Sequence, residues 1–373
     1  MGGPFFFVGG AFKHHIDWIM NGHPYTAIPT AIWHVVRGLP IALVVVLVWL
    51  VCADPLLAQS TGSVTLQGRV VDAKTDDPLA DVHVFVAGST IGTVTGDGGR
   101  YTLPNVPMGA ATLHVSLLGY TSYTNDLILK QPGTRTIDVR LSPTVLESEG
   151  VTVMAERDRT WERRFETFTR EFLGTTGVAE SATITNPEVL RFDASSGPLT
   201  AEAVEPLIIE SRALGYRIEY YLEEFVHTRG QTSYTGKPLF EPLTPDSPAQ
   251  RQRWKDNRES TYRGSFRHFV RAALDGRAEG AGFTVTTAGG RRALDADDLF
   301  QPGPVPTVKR LLFGGQVAVS YREYLRSSMQ LRSSDGALVD MQGYLANPYA
   351  VVFHGHWGTQ RVADLLPNNY RPD

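Results

Sequence analysis

Residues 68–120 decide the fold of the N-terminal part of the chain, and they contain Gly68-Arg-Val-Val-Asp72, Val82-His-Val-Phe-Val86, Thr95-Gly-Asp-Gly-Gly99 and Leu113-His-Val-Ser-Leu-Leu-Gly-Tyr120. Outward from this stretch, short segments rich in Val, Thr, Leu and Tyr alternate with Gly, Pro and Asp. The segments are 64–73, 82–86, 92–95, 100–103, 111–118, 126–129 and 136–141. Seven closely spaced strands with turn residues between them predict an all-β sandwich over residues 62–143.

These residues resemble the carboxypeptidase regulatory-like module, a transthyretin-like seven-stranded sandwich. The matching positions are Gly68, Val70, Asp72, Pro78, Leu79, Val82, Gly92, Thr93, Thr95, Gly98, Tyr101, Leu103, Pro107, Gly109, Leu113, Gly119 and Tyr120. The resemblance implies an accessory or docking module, which family members carry beside carboxypeptidase domains and at the N-termini of outer-membrane receptors. It does not imply peptidase chemistry, because one fold serves many functions.

The composition is that of a globular protein with two domains. The chain has 373 residues, of which 42% are hydrophobic and 20% are charged. Its formal net charge of -4 provides no general attraction for nucleic acid. We therefore expect no nucleic-acid partner.

The first 58 residues read as a leader with a signal peptide. Its apolar core, residues 39–53, follows Arg37 and is about 15 residues long, whereas a membrane-spanning helix needs roughly 20. Small residues follow the core, so we expect a cleaved secretory signal, with cleavage after Ala53 or Ala58 and with Met1 or Met20 as the start. The alternative is an uncleaved leader that associates the protein with a membrane.

The position of the leader's single cysteine bears on the chemistry of the exported product. Cys52 lies inside the apolar core, so a cleaved product has no thiol and forms neither a disulfide nor a cysteine-ligated metal site. Together with the resemblance, the leader predicts an exported protein of a Gram-negative cell, in the periplasm or associated with the outer membrane.

Residues 158–373 are predicted to form an α+β domain with a mainly antiparallel sheet, joined to the sandwich by a linker at 144–157. An aromatic stripe at Trp161, Phe165, Phe168 and Phe172 has helical spacing, and Gly174 follows as a helix stop. Ser247 followed by Pro248 has the pattern of a helix N-cap, and a further helix is predicted over 265–274.

Two further stretches carry a resemblance. The linker segment Val151-Thr-Val-Met154 is similar to the strand that leads this module into the plug of TonB-dependent receptors, although the remaining residues contain helical patterns and do not suit a barrel. The second domain is similar to an uncharacterised partner domain of envelope proteins. Its matching phrases are Phe172-Leu-Gly-Thr175, Asn186-Pro-Glu-Val-Leu190, Leu214-Gly-Tyr216 and Arg253-Trp254 with Asn257-Arg258. No activity comes with that resemblance.

The sequence motifs of three enzyme classes are missing. No histidine has a glutamate three residues later and His-Glu-x-x-His does not occur, so the zinc-carboxypeptidase pattern is absent. A Gly-x-Ser-x-Gly elbow is also absent, and Gly236-Lys237 is followed by Pro238 where a phosphate-binding loop needs a hydroxyl. We expect no catalytic residues, no cofactor-binding residues and no cofactor.

Three polar groups of residues remain as candidates. His354 and His356 would share one face of a continuing strand and form half of a metal site, but the pair has no third ligand in the sequence, which favours a strand-end turn. Glu219, Glu223 and Glu224 lie beside Tyr220 and Tyr221, as carboxylates beside aromatic rings do in glycosidases, and a solvated face is the alternative. The third group is Asp295-Ala-Asp297-Asp298, a charged loop or a cation ligand set.

These observations favour a non-catalytic, exported envelope protein whose sandwich docks or spaces a domain that binds an envelope protein or a glycan. One alternative is an accessory subunit of an outer-membrane TonB-dependent uptake system. The other alternative is a hydrolase whose site is assembled from distant residues within 158–373.

Overall fold

The computed structural model describes residues 62–144, 159–195, 197–290 and 292–372. These residues belong to one compact unit, Thr61–Asp373. The predicted leader, the linker segment 151–154 and most of the linker lie outside the described residues. Within the described ranges, no helix has both the length and the apolarity needed to cross a bilayer.

The sandwich (residues 62–144) consists of two four-stranded sheets. Its strands are β1 (Ser63–Asp72), β2 (His83–Val86), β3 (Gly92–Val94), β4 (Arg100–Pro107), β5 (Gly109–Ser116), β6 (Tyr123–Leu129), β7 (Gly133–Thr136) and β8 (Val139–Leu141). One sheet has the order β4-β1-β7 with β8 also paired to β1, and the other has the order β3-β2-β5-β6. Eight strands therefore stand where seven segments were predicted, because the last segment is replaced by two short strands that run parallel to β1.

The two sheets enclose one hydrophobic core. Alternate residues of β1, among them Leu66 and Val70, meet Val84 of β2 and Leu113 of β5, and all four side chains are fully buried. This alternation is what a strand with one face on a core requires. It explains why the period-two pattern located these strands.

The body (residues 159–372) contains thirteen strands and four α-helices within its described residues. The strands are β9 (Ala182–Ile184), β10 (Leu190–Asp193), β11 (Leu199–Ala203), β12 (Leu207–Ser211), β13 (Tyr216–Thr228), β14 (Gln231–Pro242), β15 (Phe283–Thr287), β16 (Phe300–Pro302), β17 (Val308–Leu311), β18 (Gln316–Tyr321), β19 (Leu325–Leu331), β20 (Ala337–Asp340) and β21 (Val351–Gly355). The helices are α1 (Arg159–Leu173), α2 (Pro248–Tyr262), α3 (Phe266–Leu274) and α4 (His356–Thr359).

Three sheets organise the body. The largest has the order β10-β11-β13-β12-β9 with β14 paired to β13, a second has the order β15-β18-β19-β21, and a third has the order β16-β17-β20. The strand pairs within these sheets are antiparallel. The predicted antiparallel pairing is confirmed, but the strands form three sheets, whereas one mainly antiparallel sheet was predicted.

Helix α1 packs on the six-stranded sheet through the predicted aromatic stripe. Phe168 and Phe172 are fully buried, and the ring of Phe168 lies 4.7 Å from that of Phe225 on β13. Gly174 ends the helix with a φ of 102°, a left-handed conformation that glycine adopts without a Cβ penalty. Burial of an aromatic face thus accounts for the helical spacing of the stripe.

Helices α2 and α3 begin where the sequence predicts. Ser247 accepts a hydrogen bond from the backbone N–H of Gln250, and Pro248 occupies the first helical turn of α2. Ser265 caps α3 in the same way, through the N–H of His268. Helix α3 then buries Phe269 and its neighbours in the second core of the body.

The longest feature that the sequence does not predict is β14. This strand pairs with β13 from Gln231 to Pro242, with one register shift between Leu222 and Glu224. It escaped prediction because its residues are mostly polar and include Gly236 and Pro238, which are disfavoured in strands.

Candidate functional site

The junction between the sandwich and the body is the candidate functional site, and it is built on the outer face of the β3-β2-β5-β6 sheet. On β2, Val84 points into the sandwich core while Phe85 points away from it; on β5, His114 points away in the same manner. Phe85 is nevertheless 0% exposed and His114 only 2% exposed. A face that would be solvated in a free sandwich is therefore covered.

Tyr221 of β13 lies over this outer face. Its ring is 5.1 Å from that of Phe85 and 5.0 Å from the imidazole of His114, and the Phe85 and His114 rings are 5.1 Å apart. Aromatic rings at these separations attract one another beyond the gain from area burial. The three rings form the apolar centre of the junction.

A loop of the sandwich, the docking loop (residues 87–91), is joined to the body by backbone hydrogen bonds. Gly88 donates its N–H to the carbonyl of Pro238 at 2.6 Å, and Phe240 donates its N–H to the carbonyl of Ser89 at 2.9 Å. On the other side, Asn368 donates its N–H to the carbonyl of Gly88 at 2.6 Å. The loop is thus held between β14 and the C-terminal segment.

Glycine is required at position 88 for two reasons. Its φ is +75°, and a Cβ built there would lie 2.5 Å from the side-chain Nδ2 of Asn368. A larger residue would be strained at this φ, and the terminal amide of Asn368 would have to move to admit it. The close approach of the two backbones depends on this residue.

A polar group borders the aromatic centre. The Nδ1 of His83 lies 3.3 Å from the hydroxyl of Tyr221 and 3.5 Å from the carboxylate of Glu219. The hydrogen bond with Glu219 raises the pKa of His83, and the same contact lowers the pKa of Glu219. Arg217 lies 4.0 Å from the other oxygen of Glu219.

His114 has a different environment. Its Nδ1 is 3.0 Å from the hydroxyl of Thr124, while its buried Nε2 has no hydrogen-bond partner among the described residues. Burial lowers the pKa of His114 to about 4. Glu223 and Lys237 lie near it and form an ion pair with each other at 2.9 Å.

The C-terminal segment that meets the docking loop is anchored by Arg267 of α3. The guanidinium donates to the carbonyls of Leu366, Pro367 and Asn368 at 2.9, 3.0 and 3.1 Å. Burial lowers the pKa of Arg267 to about 9. One side chain therefore holds the segment in the place where it can bond to Gly88.

A small, shallow cleft lies along the junction. The sandwich contributes mostly apolar residues, among them Val106, Met108 and Ala110, and the body contributes Asp340, Gln342, Tyr344, Asn368 and Asn369. An apolar wall facing hydrogen-bonding groups is a common form of ligand site.

The buried carboxylate of this cleft is fixed in place. Asp340 accepts hydrogen bonds from the N–H groups of Gln342 and Tyr344, both at 2.8 Å. Burial raises the pKa of Asp340 in spite of these bonds.

The predicted histidine pair does not share a strand face. His354 is exposed near the end of β21, but the chain turns at Gly355, whose φ is +67°, and His356 is the first residue of α4. Burial lowers the pKa of His356. No group of three potential metal ligands occurs in the part of the chain that the structure describes.

The three predicted carboxylates each have a different partner. Glu219 faces His83, Glu223 pairs with Lys237, and Glu224 accepts a hydrogen bond from the hydroxyl of Tyr349 at 2.7 Å.

The aspartate loop is organised locally. Asp295 accepts the backbone N–H of Asp297 at 3.1 Å, and burial raises the pKa of Asp297, with the neighbouring aspartates as further causes. This is a turn-stabilising contact of the kind that aspartate commonly makes.

Two phrases that carried the resemblance of the second domain meet in space. Trp254 donates its indole N–H to the carbonyl of Arg212 at 2.8 Å, and a Cβ on Gly215 would lie 2.2 Å from its ring. Arg258 donates to the carbonyls of Leu214 and Gly215 at 2.6 and 3.1 Å. These residues fasten α2 to the turn between β12 and β13, so their role here is structural.

Sequence reasoning missed the residues that build the junction, namely Gly88, Phe85 and His114. A signal was present in β5, where five consecutive residues from Ala111 to Val115 are buried. Unbroken burial of an antiparallel strand indicates that both faces are covered. The alternation of the strand could not reveal which residues cover the second face.

Residues 66–153 match the model of the CarboxypepD_reg-like domain family. No curated protein matches the chain. Similar solved structures include a type II cohesin-X-dockerin complex from Acetivibrio cellulolyticus, at 17% identity over 20% of this chain and 52% of that chain with a TM-score of 0.18. 3-Chlorocatechol 1,2-dioxygenase from Rhodococcus opacus is 19% identical over 23% of this chain and 61% of that chain, with a TM-score of 0.20.

A protein from Bacteroides uniformis that is described as carbohydrate binding is 9% identical, over 49% of this chain and 100% of that chain, with a TM-score of 0.19. The chain thus spans about half of the cohesin-dockerin chain and 61% of the dioxygenase chain. At these TM-scores the likeness says nothing about activity or ligand. The family match does not depend on these structures, and residues 66–153 match the CarboxypepD_reg-like domain, the family expected from the residues between Gly68 and Tyr120.

Proposed function

We propose that the protein is a non-catalytic, exported component of a Gram-negative cell envelope that binds an envelope protein or a glycan. In this proposal residues 62–143 are a transthyretin-like accessory sandwich and residues 158–373 are its α+β partner domain. The leader pattern over residues 1–58 supports export.

One observation carries the binding role. The body buries the outer face of the β3-β2-β5-β6 sheet, including Phe85 and His114, so the sandwich is a fixed wall of the molecule in this conformation. A fixed wall can line a binding site, because little conformational freedom is lost when a ligand arrives.

The cleft at the junction is the proposed binding surface. Gln342, Asn368 and Asn369 line the cleft with amide groups. The two asparagines also bond to the docking loop, and Gln342 accepts from Arg271 and Arg371. The remaining hydrogen-bonding capacity of these amides suits the hydroxyls of a sugar or the backbone of a peptide. Met108 and Ala110 present apolar surface on the opposite wall. Mixed walls of this type hold a ligand by a few placed hydrogen bonds over an apolar contact area.

Ligand binding is tested with purified envelope glycans and with peptides of envelope proteins, using calorimetry on the exported chain. The informative variant is Gln342→Ala together with Met108→Ala, and the matched control is the exposed Gln301→Ala. We expect the double variant to lose affinity at least tenfold and the control to retain it. Equal affinity in all three proteins would remove the cleft as the binding surface.

Export is tested separately by fractionation of expressing cells and by N-terminal sequencing of the product. We expect the protein in the periplasm or with the outer membrane, beginning after Ala53 or Ala58. A cytoplasmic product that retains residues 1–58 would contradict the envelope role.

A further inference from the structure

His114 belongs to the sandwich, but the body contributes to its burial. It is 2% exposed, and the ring of Tyr221 from β13 lies 5.0 Å away. If the sandwich separated from the body, this imidazole would lose the Tyr221 contact and gain solvent. Its environment therefore reports on the docked state.

Several charged and titratable groups face the junction histidines. On β13, Glu219 and Tyr221 face His83, with Arg217 beside Glu219, and Glu223 lies near His114. On β14, Lys237 is also near His114 and is paired with Glu223.

The docked state disfavours a charged His114 for a geometric reason. A protonated imidazole donates from both nitrogens. Its Nδ1 can donate to Thr124, but its Nε2 is buried without a partner among the described residues. A buried cation with one unsatisfied donor is costly, and Glu223 is already engaged by Lys237.

We propose that the junction is an acid-sensitive latch in which protonation of His114 weakens the docking of the sandwich on the body. Release would expose the outer face of β2 and β5, including Phe85, as a second apolar surface. The inference goes beyond the proposed function and does not depend on the identity of the ligand.

The direction of the pH dependence of docking follows from how many protons the docked and released states bind. His114 has a pKa of about 4 when docked, and a released imidazole would return toward 6.5, so the released state binds more protons between these values. Docking is therefore favoured above pH 6.5 and is lost progressively as the pH falls toward 4. If the pKa of His114 returns fully to 6.5 on release, the docking constant is about 30-fold smaller at pH 5 than at pH 7.5.

His83 works in the opposite direction. The pKa of His83 is raised in the docked state, so its pair with Glu219 favours docking below pH 6.5. This contribution is lost as the pH rises through the pKa that His83 has when docked. The side chain of His83 is 43% exposed, so water screens this pair and its opposition is small. The buried imidazole of His114 therefore sets the net pH dependence of docking.

The test is hydrogen exchange on the exported chain at pH 7.5 and pH 5.0, with protection factors corrected for the intrinsic pH dependence of exchange. The amides of Gly88, Phe240 and Asn368 report release, because each donates across the junction. The amides of Val115 inside the sandwich and of Val319 inside the body serve as references, because both lie in strands of their own sheets. We expect up to a 30-fold loss of protection at the junction amides alone.

Two variants and one titration separate the latch from general acid sensitivity. His114→Phe should abolish the pH response of the junction amides, and His83→Gln should leave or enlarge it. The matched control is His268→Gln, because burial lowers the pKa of His268 to about 4 as well, but in the second core of the body. This control should leave the pH response of the junction amides intact.

The ring signals of His114 in the unmodified protein provide a readout if His114→Phe does not fold. A midpoint near 6.5 with unchanged junction protection would overturn the latch. Equal loss of protection at the junction and reference amides would also overturn it, because the acid effect would then be global unfolding. Neither result bears on whether the cleft binds a ligand.

Discussion

The backbone N–H of Asn368 donates to the carbonyl of Gly88 at 2.6 Å, which joins the end of the described chain to the first hairpin of the sandwich. The side chain of Asn368 also lies 3.5 Å from the carbonyl of Ala87. Because Arg267 holds the carbonyls around Asn368, the docking loop is fixed to α3 through the C-terminal segment. This contact makes the sandwich and the body one compact unit.

Gly88→Ala should destabilise the protein by about 1–2 kcal/mol, because its φ is positive and the side-chain amide of Asn368 would have to move. The matched control is Gly98→Ala, since a Cβ there would meet nothing within 4 Å. The measurement is urea unfolding of both variants. A cost at position 88 no larger than that at position 98 would contradict the close approach.

Phe85→Ala should destabilise the protein by about 3–5 kcal/mol, because it leaves a cavity under Tyr221. Val94→Ala on the neighbouring strand is the control, since Val94 is 49% exposed and its loss should cost about 0.5 kcal/mol or less. Urea unfolding again gives both values. Similar small costs would show that the outer face is not covered in solution.

Arg267→Lys should destabilise the protein by about 2–3 kcal/mol, because an ammonium cannot reproduce a planar fork that reaches three carbonyls. We also expect faster hydrogen exchange at the amide of Asn368, since its segment would be held less firmly. Arg251→Lys on the exposed face of α2 is the control and should change neither quantity. Unchanged exchange at Asn368 would mean that the segment is anchored by other contacts.

Arg258→Lys should destabilise the protein by about 1–2 kcal/mol, because the guanidinium donates to two carbonyls and stacks 4.1 Å from the ring centre of Tyr216. Arg253→Lys, on the exposed face of the same helix, should be neutral. Thermal unfolding distinguishes the two variants. Equal melting temperatures would show that the polar fork does not fasten α2 to its turn.

Local sequence patterns were sufficient to predict secondary structure where a residue's role depends on its neighbours in the chain. The aromatic spacing of α1, the serine cap of α2 and the period-two strands of the sandwich were all predicted, because one turn or one pleat determines them. The polar strand β14 was not predicted, because its pairing with β13 depends on the hydrogen bonds that β13 offers and not on the strand propensity of its own residues.

The amino-acid sequence by itself determined the family of residues 66–153 and the positions of the main helices, because both follow from the types and the spacing of nearby residues. Only the tertiary structure decided that the second face of β2 and β5 is buried, that Gly88 meets Asn368 and that His354 and His356 part at Gly355. The physical reason is that hydrophobic burial is non-directional, so a sequence marks a surface as apolar without naming the distant surface that covers it.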